Sequence, residues 1–193
     1  VLAGAAHSIR YSTVAEVSFP LDSMYREFHP AIATSPTNYW SAKQVAAIAP
    51  DKGKDYADLV LGALEFAERE IADERIKMRD DSDIESATAR ALQCVSAILS
   101  HAAHWLGHRD GLAGLREFAG ADLPEQLEGR GLSRWIELFG RDLAACYDVD
   151  GSFNVNTLSN LSRHVERLLW CFGIYCWPDD EGLVRCIVTD RNF

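Results

Sequence analysis

Apolar positions recur every three to four residues through most of this chain, and the longest run begins after Asp51. Tyr56, Leu59, Val60, Ala63, Leu64, Ala67 and Ile71 share that spacing, with Asp51 or Asp55 as N-cap, and predict a helix to about Met78. Asp80, Asp81, Ser82 and Asp83 form a polar break. Asp83 then caps a second long helix with Ile84, Ala87, Ala91, Val95, Ile98, Ala102 and Trp105 as its apolar face, and Gly107 and Gly111 bracket its end. A short helix is expected over 112–118. After Gly129 and Gly131, the broad apolar face of Trp135, Ile136, Leu138, Phe139, Leu143 and Cys146 predicts another over 132–147.

The spacing of Leu158, Leu161, Val165, Leu168, Leu169, Phe172 and Tyr175 predicts a last long helix over 157–177. It is apolar nearly all round toward its end, which places it centrally. Before Asp51 the signals are shorter. Leu21 to Ala33 suits a short helix interrupted at Pro30, and Pro36 opens a helix through Trp40 and Val45 that stops by Pro50. Near-alternation of Ile9, Tyr11, Val14, Val17 and Phe19 predicts an extended arm or strand within 1–20, and 183–189 reads as a C-terminal strand. The fold expected is mainly α. One domain spans 1–193 as a compact array of five to seven helices, with at most a small two-stranded ribbon joining the N- and C-terminal segments.

Composition narrows the function classes. The 193 residues are 48% hydrophobic and 25% charged, which excludes disorder over most of the chain. No apolar run is long enough for a transmembrane helix, so no membrane partner is expected. Acids outnumber bases 29 to 19, a net charge of −10, and such a chain is a poor match for a nucleic acid backbone. The opening from Val1 to His7 lacks a basic start and a long apolar core, so it does not read as a signal peptide. Five cysteines (Cys94, Cys146, Cys171, Cys176 and Cys186) contain no CxxC, and most sit in apolar runs. Reduced thiols in a cytoplasmic chain are expected. The competing reading is a disulfide from Cys186 to Cys171 or Cys176.

Three constellations carry candidate chemistry. At about 100° per residue, His101, His104 and His108 fall within a roughly 60° sector at the edge of a buried helix face. Imidazoles one turn apart can share an ion, so zinc or another transition metal is the candidate cofactor. His164 on the last helix is the preferred outside ligand, with Asp110, Glu166 or Cys94 behind it. The alternative is boundary histidines with no ion; no HExxH is present. The loop Asp148–Asn156 resembles part of a calcium-binding loop, but its Gly151 comes two residues early and Ser159 stands where a bidentate Glu is needed. The plainer reading is an Asx-rich turn with Asn154 or Asn156 capping the last helix.

The third constellation is acidic. Between Glu65 and Glu85 nine acids face four bases, a net charge of −5. Glu65, Glu68, Asp73, Glu74, Asp80 and Asp81 are the candidate partner-binding residues. The competing reading is a solvated face with pairs such as Glu65–Arg69 and Asp73–Lys77. No nucleophile elbow, P-loop or dinucleotide fingerprint occurs, and Arg163, His164 and Arg167 are too sparsely supported for an RNA-cleaving helix. The function expected is an acidic helical protein-binding module for a basic protein, in its sharpest form a neutralising, immunity- or antitoxin-like partner. A metal-binding helical enzyme or sensor is the alternative.

Overall fold

The computed structural model describes residues 23–81, 84–113, 118–147, 153–154, 157–181 and 184–189, with the backbone alone for 23, 75–81 and 84. The fold is mainly helical, with a small two-stranded antiparallel sheet. In chain order the helices are α1 (Ser23–Ile32), α2 (Ser35–Val45), α3 (Lys52–Asp81), α4 (Ile84–Leu112), the short α5 (Leu123–Gln126), α6 (Ser133–Ala144) and α7 (Leu158–Cys171). A 3₁₀ turn, Glu128–Arg130, follows α5, and strands β1 (Ile174–Pro178) and β2 (Val184–Val188) follow α7. No described helix is long and apolar enough to cross a membrane.

The hub of the array is α4, which packs on α1, α2, α3, α6 and α7 and touches β2. Its 29 residues are rich in Ala and Leu, good helix formers. Ala91, Val95, Ile98, Leu99, Ala102, Ala103 and Leu106 are all buried, so more than one of its faces is covered. The expectation that the last helix lies centrally is therefore corrected. α7 is amphipathic: Leu158, Leu161, Val165, Leu168 and Leu169 are buried, while Ser159, Asn160, Arg163, Arg167 and Trp170 face outward.

Gly107 and Gly111 do not end α4; they lie inside it. A Cβ at Gly107 would collide with the Tyr39 carbonyl, and one at Gly111 with the Lys43 carbonyl. Missing side chains at these two positions, one turn apart, let α2 lie against α4 backbone to backbone. The Tyr39 hydroxyl then donates to Asp110 at 2.7 Å, and the Tyr147 hydroxyl beyond α6 donates to the Pro36 carbonyl at 2.7 Å. Pro30 does not interrupt α1. It sits inside the helix and only removes the N–H that would have bonded the Arg26 carbonyl.

Two other expectations change at the C-terminal end. The segment 174–177, expected as the end of the last helix, is β1. Gly173 takes φ +71° and its N–H bonds the Trp170 carbonyl, the left-handed glycine that terminates many helices. The described ribbon is a hairpin of β1 with β2, in register Ile174↔Val188 through Pro178↔Val184; the arm at 1–20, expected to pair with the last strand, lies outside the described residues. Most of the Asp148–Asn156 loop and of 112–118 also lies outside them. Phe153 and Asn154 are described, and Thr157, not an Asn, occupies the N-cap of α7.

Candidate functional site

The buried stripe of α3 is Ala57, Val60, Leu64, Ala67 and Ile71, which seats the helix on α4. Leu59, expected on that stripe, is not part of it: it is 47% exposed, and Phe66 is 44% exposed. At about 100° per residue, Leu59, Gly62 and Phe66 share a sector on the opposite side of the helix from Val60 and Leu64. A Cβ at Gly62 would meet nothing within 4 Å, so the middle of this outer face is open backbone. Around it stand Asp55, Asp58, Glu65 and Asp73, all exposed. Lys52 and Lys54 pair with Asp55 and Asp58 at 2.7 and 3.0 Å near the start of the helix. Exposed pairs of this kind contribute little to stability, because water and salt screen them.

The candidate acids are distributed over more than this face. Glu65 and Asp73 are exposed on it, and Arg69 Nε donates to the Glu65 main-chain carbonyl at 3.3 Å. Glu68 turns toward the 3₁₀ turn and accepts from Arg130 at 2.8 Å. Glu74 is half-buried, and Glu70 takes a 2.6 Å bond from Arg90, whose guanidinium lies 5.8 Å from the centre of the Phe66 ring. Asp80 and Asp81 lie in the last turn of α3, where only the backbone is described.

The histidines separate. His104 is half-buried, stacked on Tyr56 with ring centres 5.5 Å apart, and its Nδ1 lies 2.9 Å from the Ser100 carbonyl. His108 is buried under Tyr56 and Phe118 and donates from Nε2 to the Pro50 carbonyl at 3.1 Å. His101 is half-buried on the same helix. His164 instead lies between α6 and α7, against the Phe139 ring, donating from Nε2 to Asp142 at 2.9 Å. The same-helix cluster thus exists, but its intended fourth member faces α6. Among the described residues, no group of three or more His, Cys, Asp or Glu side chains is placed to hold a metal ion. In His108 and His164 one ring nitrogen is bound to a protein oxygen and the other is buried with no hydrogen-bond partner among the described residues.

Burial sets the titration of these rings. It holds His101 below its ordinary value of 6.5, with the neighbouring His104 adding to the effect. It lowers His104 against the Ser100 hydrogen bond, and lowers His164 against the Asp142 hydrogen bond and charge. The unfolded chain therefore binds more protons than the folded one once the pH drops below about 6.5. Stability from these groups is complete above that value and is lost as the pH falls toward the depressed folded values. The denaturant midpoint should decline between about pH 6.5 and 5, and His104→Gln should flatten part of the decline. An unchanged wild-type midpoint over that window would contradict the burial seen here.

Sequence reasoning missed the outer apolar stripe, although its signal was present: Leu59 and Phe66 lie more than 100° away from the centre of the buried set on a helical wheel. It also missed a cavity of about 600 Å³ between the hairpin, α1 and α4, because its walls come from segments far apart in the chain. Neither a protein-family model, nor a curated protein, nor a solved structure matches the chain.

Proposed function

We propose that the chain is a protein-binding module that docks a basic partner on the outer face of α3. The observation that carries this reading is the exposed Leu59–Gly62–Phe66 stripe, with Asp55, Asp58, Glu65 and Asp73 around it. Solvated helix faces are ordinarily polar, and a glycine inside a helix costs roughly 1 kcal/mol relative to alanine. Two large apolar side chains flanking an open glycine make a shallow seat. Asp55 and Asp58 already hold Lys52 and Lys54, so Glu65 and Asp73 are the carboxylates that select positive charge at its rim. The sharpest form of the proposal is a neutralising partner, immunity- or antitoxin-like, for a basic toxin or enzyme; the net charge of −10 on a small helical chain supports it. A cytoplasmic setting suits five free cysteines.

The test begins by capturing binding proteins from the native host with the wild-type chain, and with Phe66→Asp and Glu65→Lys/Asp73→Lys variants as baits. A partner that fits is basic, is lost by the apolar variant and is weakened by the charge-reversed one. Its association rate should fall as ionic strength rises, since screening contracts from about 8 Å at 0.15 M to about 3 Å at 1 M. Equal capture by all three baits, or a rate that is flat in salt, would remove the α3 face from the proposal.

A further inference from the structure

The hairpin places two thiols opposite each other. Cys176 and Cys186 are register partners on β1 and β2. The Thr189 N–H donates to the carbonyl of its opposite residue, Gly173, at 2.8 Å, so that pair is a hydrogen-bonded one. Counting inward, pairs alternate, and Cys176–Cys186 is a non-hydrogen-bonded pair, the class in which opposed Cα atoms sit about 4.5 Å apart with side chains closest. That lies inside the roughly 4.4–6.8 Å range that a disulfide spans. Both side chains are on the inner face of the ribbon, with Ile174 and Val188, while Trp177, Arg185 and Ile187 point outward.

The same two cysteines line the cavity of about 600 Å³, together with Glu27 and Phe28 of α1 and Thr88 and Leu92 of α4. Cys176 belongs to the same core cluster as Cys94 and Cys146, and Cys186 packs against it, but these two thiols also border the cavity. Burial raises Cys94, and raises Cys146 to about 11. Cys186 moves the other way, from 9.0 to about 7, first through hydrogen bonding with Cys176 and also through Thr88, against burial and the Glu27 charge. Cys176 is correspondingly raised by Cys186 and by burial. The charged groups around the pair are Glu27, Glu85, Arg185 and, from α7, Glu166, which opposes ionisation of Cys176; Arg185 Nε is held by Asp179 at 2.8 Å.

We infer that Cys186 and Cys176 form a reactive dithiol that exchanges with a small organic disulfide admitted to this cavity. The Cys186 thiolate attacks one sulfur of the incoming disulfide. That S–S bond breaks, and the departing thiolate takes a proton from water. The second half of the molecule stays in the cavity as a mixed disulfide on Cys186. Cys176 then loses its proton to water and attacks the Cys186 sulfur, forming the cross-strand disulfide and releasing the second small thiol. Two protein thiols are oxidised and one small disulfide is reduced to two thiols. At pH 7 a pKa near 7 raises the thiolate fraction about fiftyfold over a thiol near 9, and the accompanying loss of nucleophilicity leaves a net gain of roughly fivefold.

Oxidised glutathione serves as the probe, added to the reduced full-length chain at pH 7 and followed by intact mass and peptide mapping. Wild type should lose two hydrogens and yield a Cys176–Cys186 crosslinked peptide. Cys176→Ser should stop at a glutathione adduct on Cys186, and Cys186→Ser should react about fivefold more slowly or not at all. On the unsubstituted chain, limited iodoacetamide labelling should reach Cys186 ahead of the half-buried Cys171, a readout that does not depend on either variant folding. Labelling of Cys171 first, or glutathione on cysteines other than this pair, overturns the inference.

Discussion

Leu168→Ala should lower the folding free energy by about 2–5 kcal/mol. Leu168 is fully buried on α7, within the continuous core that joins this helix to α1, α4 and α6. Truncation removes the transfer free energy of its outer carbons and leaves a cavity that only partly closes. The helix itself is not weakened, since alanine is the best helix former. The loss therefore reports packing alone. Arg167→Ala, one residue away on the exposed side, should stay within about 0.5 kcal/mol. Denaturant melts of both variants check the pair, and a Leu168→Ala loss below about half a kcal/mol would show that α7 is not packed as described.

The second large effect is at Gly107, where alanine should destabilise despite its better helix propensity. Propensity alone favours Gly107→Ala by about 1 kcal/mol. Against this, the new methyl would strike the carbonyl and Cα of Tyr39, which are main chain and cannot rotate away. Separating α2 from α4 disturbs the Tyr39–Asp110 bond as well as the apolar contacts, so a net loss of about 1–3 kcal/mol or more is expected. Gly62→Ala supplies the contrast. Gly62 is also inside a helix, but nothing stands near its missing Cβ, so the substitution should stabilise by about 0.5–1 kcal/mol. Melting temperatures that move the same way for both variants would refute the close α2–α4 approach.

Those two glycines also mark where sequence reading stops. Both are helical, and both weaken a helix by the same local rule. What separates them is the backbone of α2, more than 60 residues earlier in the chain than Gly107, and no spacing along α4 reveals it. The expected end of α4 at Gly107–Gly111 failed for this reason: the glycines serve an approach between helices, and the helix continues to Leu112. At the C-terminal end two local signals competed. The 3–4 spacing from Leu158 through Phe172 and Tyr175 argued for continued helix, while Gly173 and the β-rich Ile174, Tyr175 and Trp177 argued for a stop and a strand. The structure follows the glycine, because β2 provides the partner that a strand requires.

The candidate sites divide in the same way. The placement of His101 and His104 at the edge of the buried face of α4 was legible, because angular position on a helix follows from sequence alone. The orientation of His164 toward Asp142 depends on how α6 and α7 pack, and its distance from the α4 histidines could not be read from either helix.

The sequence by itself determined the helical class and the two long helices α3 and α4. It also determined most of the buried sets of α3 and α7, Leu59 and Tyr175 apart, and the acidic charge, since periodicity, capping and composition are local properties. Only the tertiary structure decided that α4 is the hub, that Leu59 and Phe66 remain uncovered, and that Cys176 faces Cys186 across a hairpin beside a cavity. Those facts depend on which surfaces are left over after the helices have packed, and that is set by long-range contacts that no single segment encodes.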